Sequence, residues 1–258
     1  TQVGSSAASD VYKRQYKLLS YKLDISYDGT NFHGFQKQIN NRTIQGEIEK
    51  ILYKLLKDYD LTYSGRTDAG VHAKSQILCL KVNKPLNDNF INSFNSLISN
   101  EIKVNKILKA SKEFNPRHDA KSRVYKYFIL NKTKDLPFSE NQVYFINKKL
   151  DLGYLNRISK IFLGNNNFKN FSKLRPGQSP ERYIKVSKWT YQNSKYIYTV
   201  EGNSFLHNMV KSIVGSQLAV IDKKISIEDL KLSLKNPSET RHRFMVPSSG
   251  LYLWKIKY

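Results

Sequence analysis

The sequence predicts an α+β fold: two α/β sub-domains sharing a large mixed, mainly antiparallel sheet with helices packed on it. Three observations lead there. Alternating strand patterns outnumber helical ones, and the connections between them are irregular, unlike a doubly wound fold. The 258 residues exceed one average domain without making two comfortable ones. No internal repeat with a period of roughly 20–50 residues is present.

The elements follow in order. Residues 1–20, small and polar without a clear period, read as a tail or an added segment and are set apart. Residues 21–115 are expected as an N-terminal α+β sub-domain and 116–258 as a C-terminal one. In Tyr21–Tyr27, Tyr21, Leu23, Ile25 and Tyr27 share one face of a strand, and Asp28-Gly29-Thr30 then turns the chain. Thr43 caps a helix whose stripe is Ile44, Ile48, Ile51, Leu52 and Leu55. A short strand, Leu61–Ser64, leads into the loop Gly65–Ala73, and Gln76–Val82 is the strand beyond it. Asn87 or Asp88 starts a second helix with Phe90, Phe94 and Leu97 inward. Ser122–Leu130 is strongly β-prone.

In the second half, Asp151–Leu163 reads as an amphipathic helix with Leu152, Leu155, Ile158 and Phe162 inward. Gly164–Asn167 and Lys173–Glu181 read as loops. Arg182–Gln192 and Lys195–Glu201 form a hairpin about Asn193-Ser194. Apolar residues from Met209 to Ile221 recur every three or four positions, a core helix. Ser226 and Asp229 have capping-box spacing, and Leu251–Tyr258 closes the chain as a strand.

Composition bounds the partners. Lys+Arg 43 against Asp+Glu 21 gives a formal charge of +22, a surface that concentrates polyanions. Hydrophobic residues at 40% are enough for a packed core, which excludes disorder. The single cysteine, Cys79, excludes an internal disulfide and a cysteine-based zinc cluster, and reads as a core residue. The histidines, at 33, 72, 118, 207 and 242, include no pair at helical ligand spacing, so a His-rich metal site would need long-range assembly. No apolar stretch approaches the ~18–20 residues that span a bilayer, nor is there a signal-peptide core, so a cytoplasmic setting is the expectation.

Three clusters could carry chemistry. In Gly65–Ala73, Asp68 stands between two glycines with Arg66, His72 and Lys74 nearby. On spacing alone Asp68 reads first as a turn or helix cap, with Gly65 and Gly70 supplying positive φ; a reactive carboxylate held ionised by cations is the competing reading. A lone acid argues against two-carboxylate glycosidase chemistry. On the strand Arg123–Tyr127, Tyr125 and Tyr127 share a face and could stack on an unpaired base or fill a core. Lys211 is the one cation of the apolar Met209–Ile221 helix: a snorkelling side chain, or the partner of a buried acid.

Six segments occur in order: Tyr27-Asp-Gly-Thr-Asn-Phe-His-Gly-Phe-Gln36, Arg42-Thr-Ile-Gln-Gly46, Gly65-Arg-Thr-Asp-Ala-Gly-Val-His-Ala73, Arg123-Val-Tyr-Lys-Tyr127, Phe205-Leu-His-Asn-Met-Val-Lys-Ser-Ile-Val-Gly215 and Pro247-Ser-Ser-Gly-Leu-Tyr-Leu253. Together they closely resemble the tRNA pseudouridine synthase A family, over roughly Tyr21 to Tyr258. The resemblance implies the pseudouridine synthase fold and conversion of uridine to pseudouridine at tRNA positions 38, 39 and 40 in the anticodon stem-loop. It implies no cofactor, no metal and a homodimer with tRNA across both subunits. By the same resemblance Asp68 is the catalytic carboxylate, acting as a nucleophile at C1′ or as a base on the ribose. Tyr125 packs against the target uracil, and Arg66 holds the flipped-out nucleotide. Two positions depart from the family pattern. Lys211 stands where arginine is expected, a point charge without a bidentate fork, and Phe35 stands where tryptophan is common. Lys160, Lys169, Lys173, Arg175, Arg182, Lys185 and Lys188, with Arg117, Lys121 and Arg123, are expected to form a basic track along tRNA. The competing readings are a catalytically silent tRNA-binding protein on the same scaffold, and another nucleic-acid enzyme. A zinc deaminase would need a Cys/His set that the chain lacks, and a two-metal nuclease would need clustered carboxylates around Asp68.

Overall fold

The computed structural model describes residues 18–131, 141–237 and 244–258. The tail expected over 1–20 lies outside them as far as residue 17, but Leu19 and Ser20 already belong to the first strand. His242 also lies outside.

Ten strands form one sheet among the described residues. Its main path runs β4 (Ile102–Ala110), β1 (Leu19–Tyr27), β3 (His72–Val82), β10 (Leu251–Lys257), β5 (Ser122–Asn131), β9 (Lys195–Gly202), β8 (Glu181–Gln192), β7 (Gly164–Asn167). β2 (Asp60–Tyr63) pairs with β3, and β6 (Tyr144–Ile146) with β5. Neighbours are antiparallel except β10 with β3 and β6 with β5, so the expected mixed, mainly antiparallel α+β sheet is what forms. The last strand of the chain thus lies mid-sheet.

Two apolar cores flank that strand. Leu23, Ile25 and Leu78 meet the stripe Ile44, Ile48 and Leu52 of α1 (Ile44–Leu56), and Phe94 of α2 (Phe90–Leu97) joins them. Thr43 caps α1, its Oγ1 accepting from Gly46 N at 3.2 Å. Tyr127, Tyr198 and Trp189 meet α3 (Leu152–Ser159), α4 (Met209–Ile221) and α5 (Ile227–Lys235) in the other core. Leu251 of β10 packs in this second core, Leu253 and Ile256 in the first. Cys79 is fully buried, as expected.

Local chemistry explains most of these boundaries. Asn193 and Ser194 both have positive φ, 49° and 61°, which matches the twist of the β8–β9 hairpin. Ser226 and Asp229 form the expected capping box. Besides shifted ends, among them β3 starting at His72 within the expected loop and α3 ending at Ser159, where a 3-10 turn continues to Phe162, three details differ from expectation. Gly164–Asn167 is an edge strand rather than a loop, because its backbone pairs with Glu181–Ile184 although its side chains have little β-propensity. Ile102–Ala110, which the sequence does not mark as an element, pairs with β1 at the opposite edge. Leu97 is exposed; α2 ends there, and the extended backbone at Ile98 turns that residue into the core instead.

Candidate active site

A cleft of about 800 Å³ opens where both halves of the sheet meet, lined by residues from 33–38, 61–71, 115–125, 175–182 and 204–210 together with Leu251. Asp68 stands in it, on the loop between β2 and β3. That loop is tied at several points. Ser64 Oγ donates to Gln76 Oε1 at 2.5 Å and Gln76 Nε2 to Gly65 O at 2.7 Å. Tyr27 and Thr67 share a hydroxyl hydrogen bond of 2.8 Å, and Phe35 N donates to Thr67 O at 3.0 Å.

Asp68–Val71 is a tight turn: Val71 N donates to Asp68 O at 3.2 Å, and Gly70 takes φ +73° at the third position, which type II turns reserve for glycine. Gly65 does not have positive φ, contrary to the capping reading. Nor does the Asp68 side chain cap the turn; its backbone carbonyl closes it and its carboxylate faces α4. There, Lys211 Nζ lies 3.6 Å from Oδ2 and His207 Nε2 lies 3.3 Å from Oδ1. The Lys211 side chain is 11% exposed and also donates to Ser248 Oγ at 3.3 Å, so it is a partner of an acid and not a snorkelling surface lysine. Asn208 precedes α4 in the left-handed conformation, φ 65° and ψ 0°, and this bend lets the residues on either side of it flank one carboxylate. An anion against the first turn of a helix is further favoured by the helix dipole.

The tyrosines divide. Tyr127 is wholly buried, its hydroxyl donating to Pro247 O at 2.8 Å. Tyr125 lines the cleft, with the Phe205 ring edge-on at 5.0 Å. Burial pushes its phenol up to about 12, opposed by Arg123 and assisted by the charge of Asp68. It is therefore a neutral aromatic surface at physiological pH.

Arg66 is exposed on the rim and forms no ion pair among the described residues. His72 faces away from the cleft: its Nδ1 is 3.1 Å from Asp28 Oδ1, its Nε2 is 3.1 Å from Ser249 O, and Tyr252 stacks on its ring. The His72 contact holds the Asp28 carboxyl well below the usual range. So the chain neighbours Arg66, His72 and Lys74 are not the cations that meet Asp68.

Of the expected basic track, Arg117, Arg123, Arg175 and Arg182 line the cleft, and the lysines do not. Arg123 is engaged internally, donating to the carbonyls of Asn203, Ser64 and Arg117. The sequence assigns His207, Phe205 and Ser248 no role; the four-residue spacing of His207 and Lys211 is the signal that marks the histidine. Phe35 is fully buried against Tyr63, ring centroids 4.7 Å apart. Among the described residues no group of three or more His, Cys, Asp and Glu is gathered to hold a metal ion, and no helix is long and apolar enough to cross a membrane.

The sequence model of a family described as tRNA pseudouridine synthase matches residues 158–258. A protein of Dictyoglomus thermophilum named tRNA pseudouridine synthase A is 39% identical over 246 residues, covering 93% of this chain and 100% of that protein. One of the same name from Borrelia garinii is 38% identical over 239 residues, covering 91% of this chain and 97% of that one. Among solved structures, a chain from a Cbf5-Nop10-Gar1 complex aligns with 91% of this chain and 58% of its own, at 9% identity and a TM-score of 0.38.

Proposed function

From the premise that this chain belongs to the tRNA pseudouridine synthase A family, and is thus an isomerase converting uridine in tRNA to pseudouridine, we propose that Asp68 is its catalytic carboxylate. The isomerisation breaks the C1′–N1 bond, turns the uracil in place and joins C5 to C1′; the proton leaves C5 and one is gained at N1. Whether the acid attacks C1′ or takes a ribose proton, it must be ionised and must reach the sugar.

The observation that carries the reading is the Asp68 carboxylate held between Lys211 and His207 in a cleft that Tyr125 also lines. Lys211, 3.6 Å from Oδ2, orients the acid as a point charge. Tyr125, neutral and backed by Phe205, offers a flat partner for the detached uracil while it rotates. Arg66, unpaired on the rim, is available to a nucleotide turned out of its stack, an extrusion that costs a few kcal/mol. Arg117, Arg175 and Arg182 supply charge for the phosphates around it.

The substrate position is read as uridines 38, 39 and 40 of the anticodon stem-loop, the working form as a homodimer, and the setting as cytoplasmic. The division into sub-domains over 21–115 and 116–258 belongs to the same reading. The silent tRNA-binding alternative is disfavoured by the intact Asp68–Lys211 pair, which binding alone does not need.

The test is incubation of the purified protein with unmodified tRNA, mapping pseudouridine, beside Asp68→Asn. Product at the anticodon arm is expected, and the variant binds tRNA but makes none. Product from Asp68→Asn overturns the assignment.

A further inference from the structure

A carboxylate has two oxygens, and the Asp68 terminal torsion is soft, so a single point contact leaves it free to turn. Lys211 is such a contact, one ammonium nitrogen on a flexible stem, 3.6 Å from Oδ2. The other oxygen, Oδ1, lies 3.3 Å from His207 Nε2. We propose that His207 is a positioning residue for Asp68: with Lys211 it forms a split clamp, two side chains each within ion-pair distance of one of the two oxygens that one guanidinium would hold alone.

The backbone is built to keep the imidazole there. His207 O accepts from Lys173 N at 3.1 Å, joining the segment to the loop before β8, and the left-handed Asn208 directs the chain from His207 into α4. Lys211 is in turn steadied by Ser248. Nε2 lies within ion-pair distance of Oδ1, so the imidazole and the ammonium each face one oxygen of the same carboxylate. His207 is 49% exposed and Asp68 33%, so the contact lies at the mouth of the cleft and its removal leaves the core intact.

The inference rests on Asp68 being the acid that reaches the sugar. Its test is a two-by-two set under single-turnover conditions with saturating enzyme: the natural protein, His207→Ala, Lys211→Arg, and both together. In the natural background, His207→Ala is expected to slow product formation about 10- to 100-fold, with tRNA affinity within about twofold. In the Lys211→Arg background, where the guanidinium spans both oxygens, the same substitution is expected to cost less than about threefold. His207→Gln, whose amide can donate at the position of Nε2, is expected to recover most of the rate. Equal losses in both backgrounds, a loss confined to affinity, or no loss at all overturns the proposal. Turnover by Asp68→Asn is a separate outcome that overturns the underlying assignment instead.

Discussion

Replacing Lys211 by methionine keeps most of the stem and removes the charge 3.6 Å from Asp68 Oδ2. Two unit charges at that separation interact by about 4.6 kcal/mol at an effective dielectric of ~20 and by about 1.2 kcal/mol in bulk water. With side chains 11% and 33% exposed, the pair lies between these limits, and His207 still holds Oδ1. A loss of about 2–3 kcal/mol follows, about 30- to 150-fold in the rate of the chemical step. The assay mixes excess enzyme with unmodified tRNA, quenches at intervals and counts pseudouridine, with tRNA affinity and thermal unfolding measured alongside. A folded Lys211→Met protein that works within about threefold of the natural one refutes the idea that this charge serves Asp68.

Three further outcomes follow from the same structure. Burial raises the phenols of Tyr125, to about 12, and of Tyr27 and Tyr198. Unfolded tyrosine loses its proton near 10, so the unfolded chain binds fewer protons than the folded one above that pH. Stability present below about pH 10 is therefore lost as pH climbs toward 12; Tm should fall steeply over that range, less so in Tyr27→Phe/Tyr198→Phe, and a flat Tm in the natural protein contradicts this. Gly70→Val forces a side chain into φ +73° with its Cβ 3.2 Å from Ser248 Cβ. It should cost about 1–3 kcal/mol, read as a lower Tm, and slow turnover more than it weakens tRNA binding, since Ser248 steadies Lys211; an unchanged Tm contradicts it. Four of the five cleft arginines, Arg66, Arg117, Arg175 and Arg182, predict that tRNA affinity of Asp68→Asn drops about 50- to 150-fold from ~50 to ~200 mM salt, Arg123 being engaged internally. Filter binding checks it, and a flat response removes the phosphate role.

Much of the fold is legible because local patterns here agree with the final packing. The Thr43 cap, the α1 stripe, the Asn193-Ser194 turn and the Ser226 capping box each declare themselves within a few residues. Gly164–Asn167 was not legible: a run of asparagines becomes a strand only because the free edge of β8 pairs with its backbone. The site divides the same way. Asp68, Tyr125 and Lys211 stand out by residue type and segment, and the turn that presents Asp68 is foreshadowed by Gly70.

The order of residues, then, was sufficient to specify most strands, helices and caps, an excess of positive charge and a lone acid in a glycine-flanked loop, since each depends on chemistry within a few positions. Which cations meet that acid was decided by tertiary structure alone. The turn sends Asp68 away from Arg66, His72 and Lys74, and the closing of the two cores about β10 brings it to His207 and Lys211 instead. Charge pairing acts over a few ångströms of space, and only the folded chain sets which side chains share them.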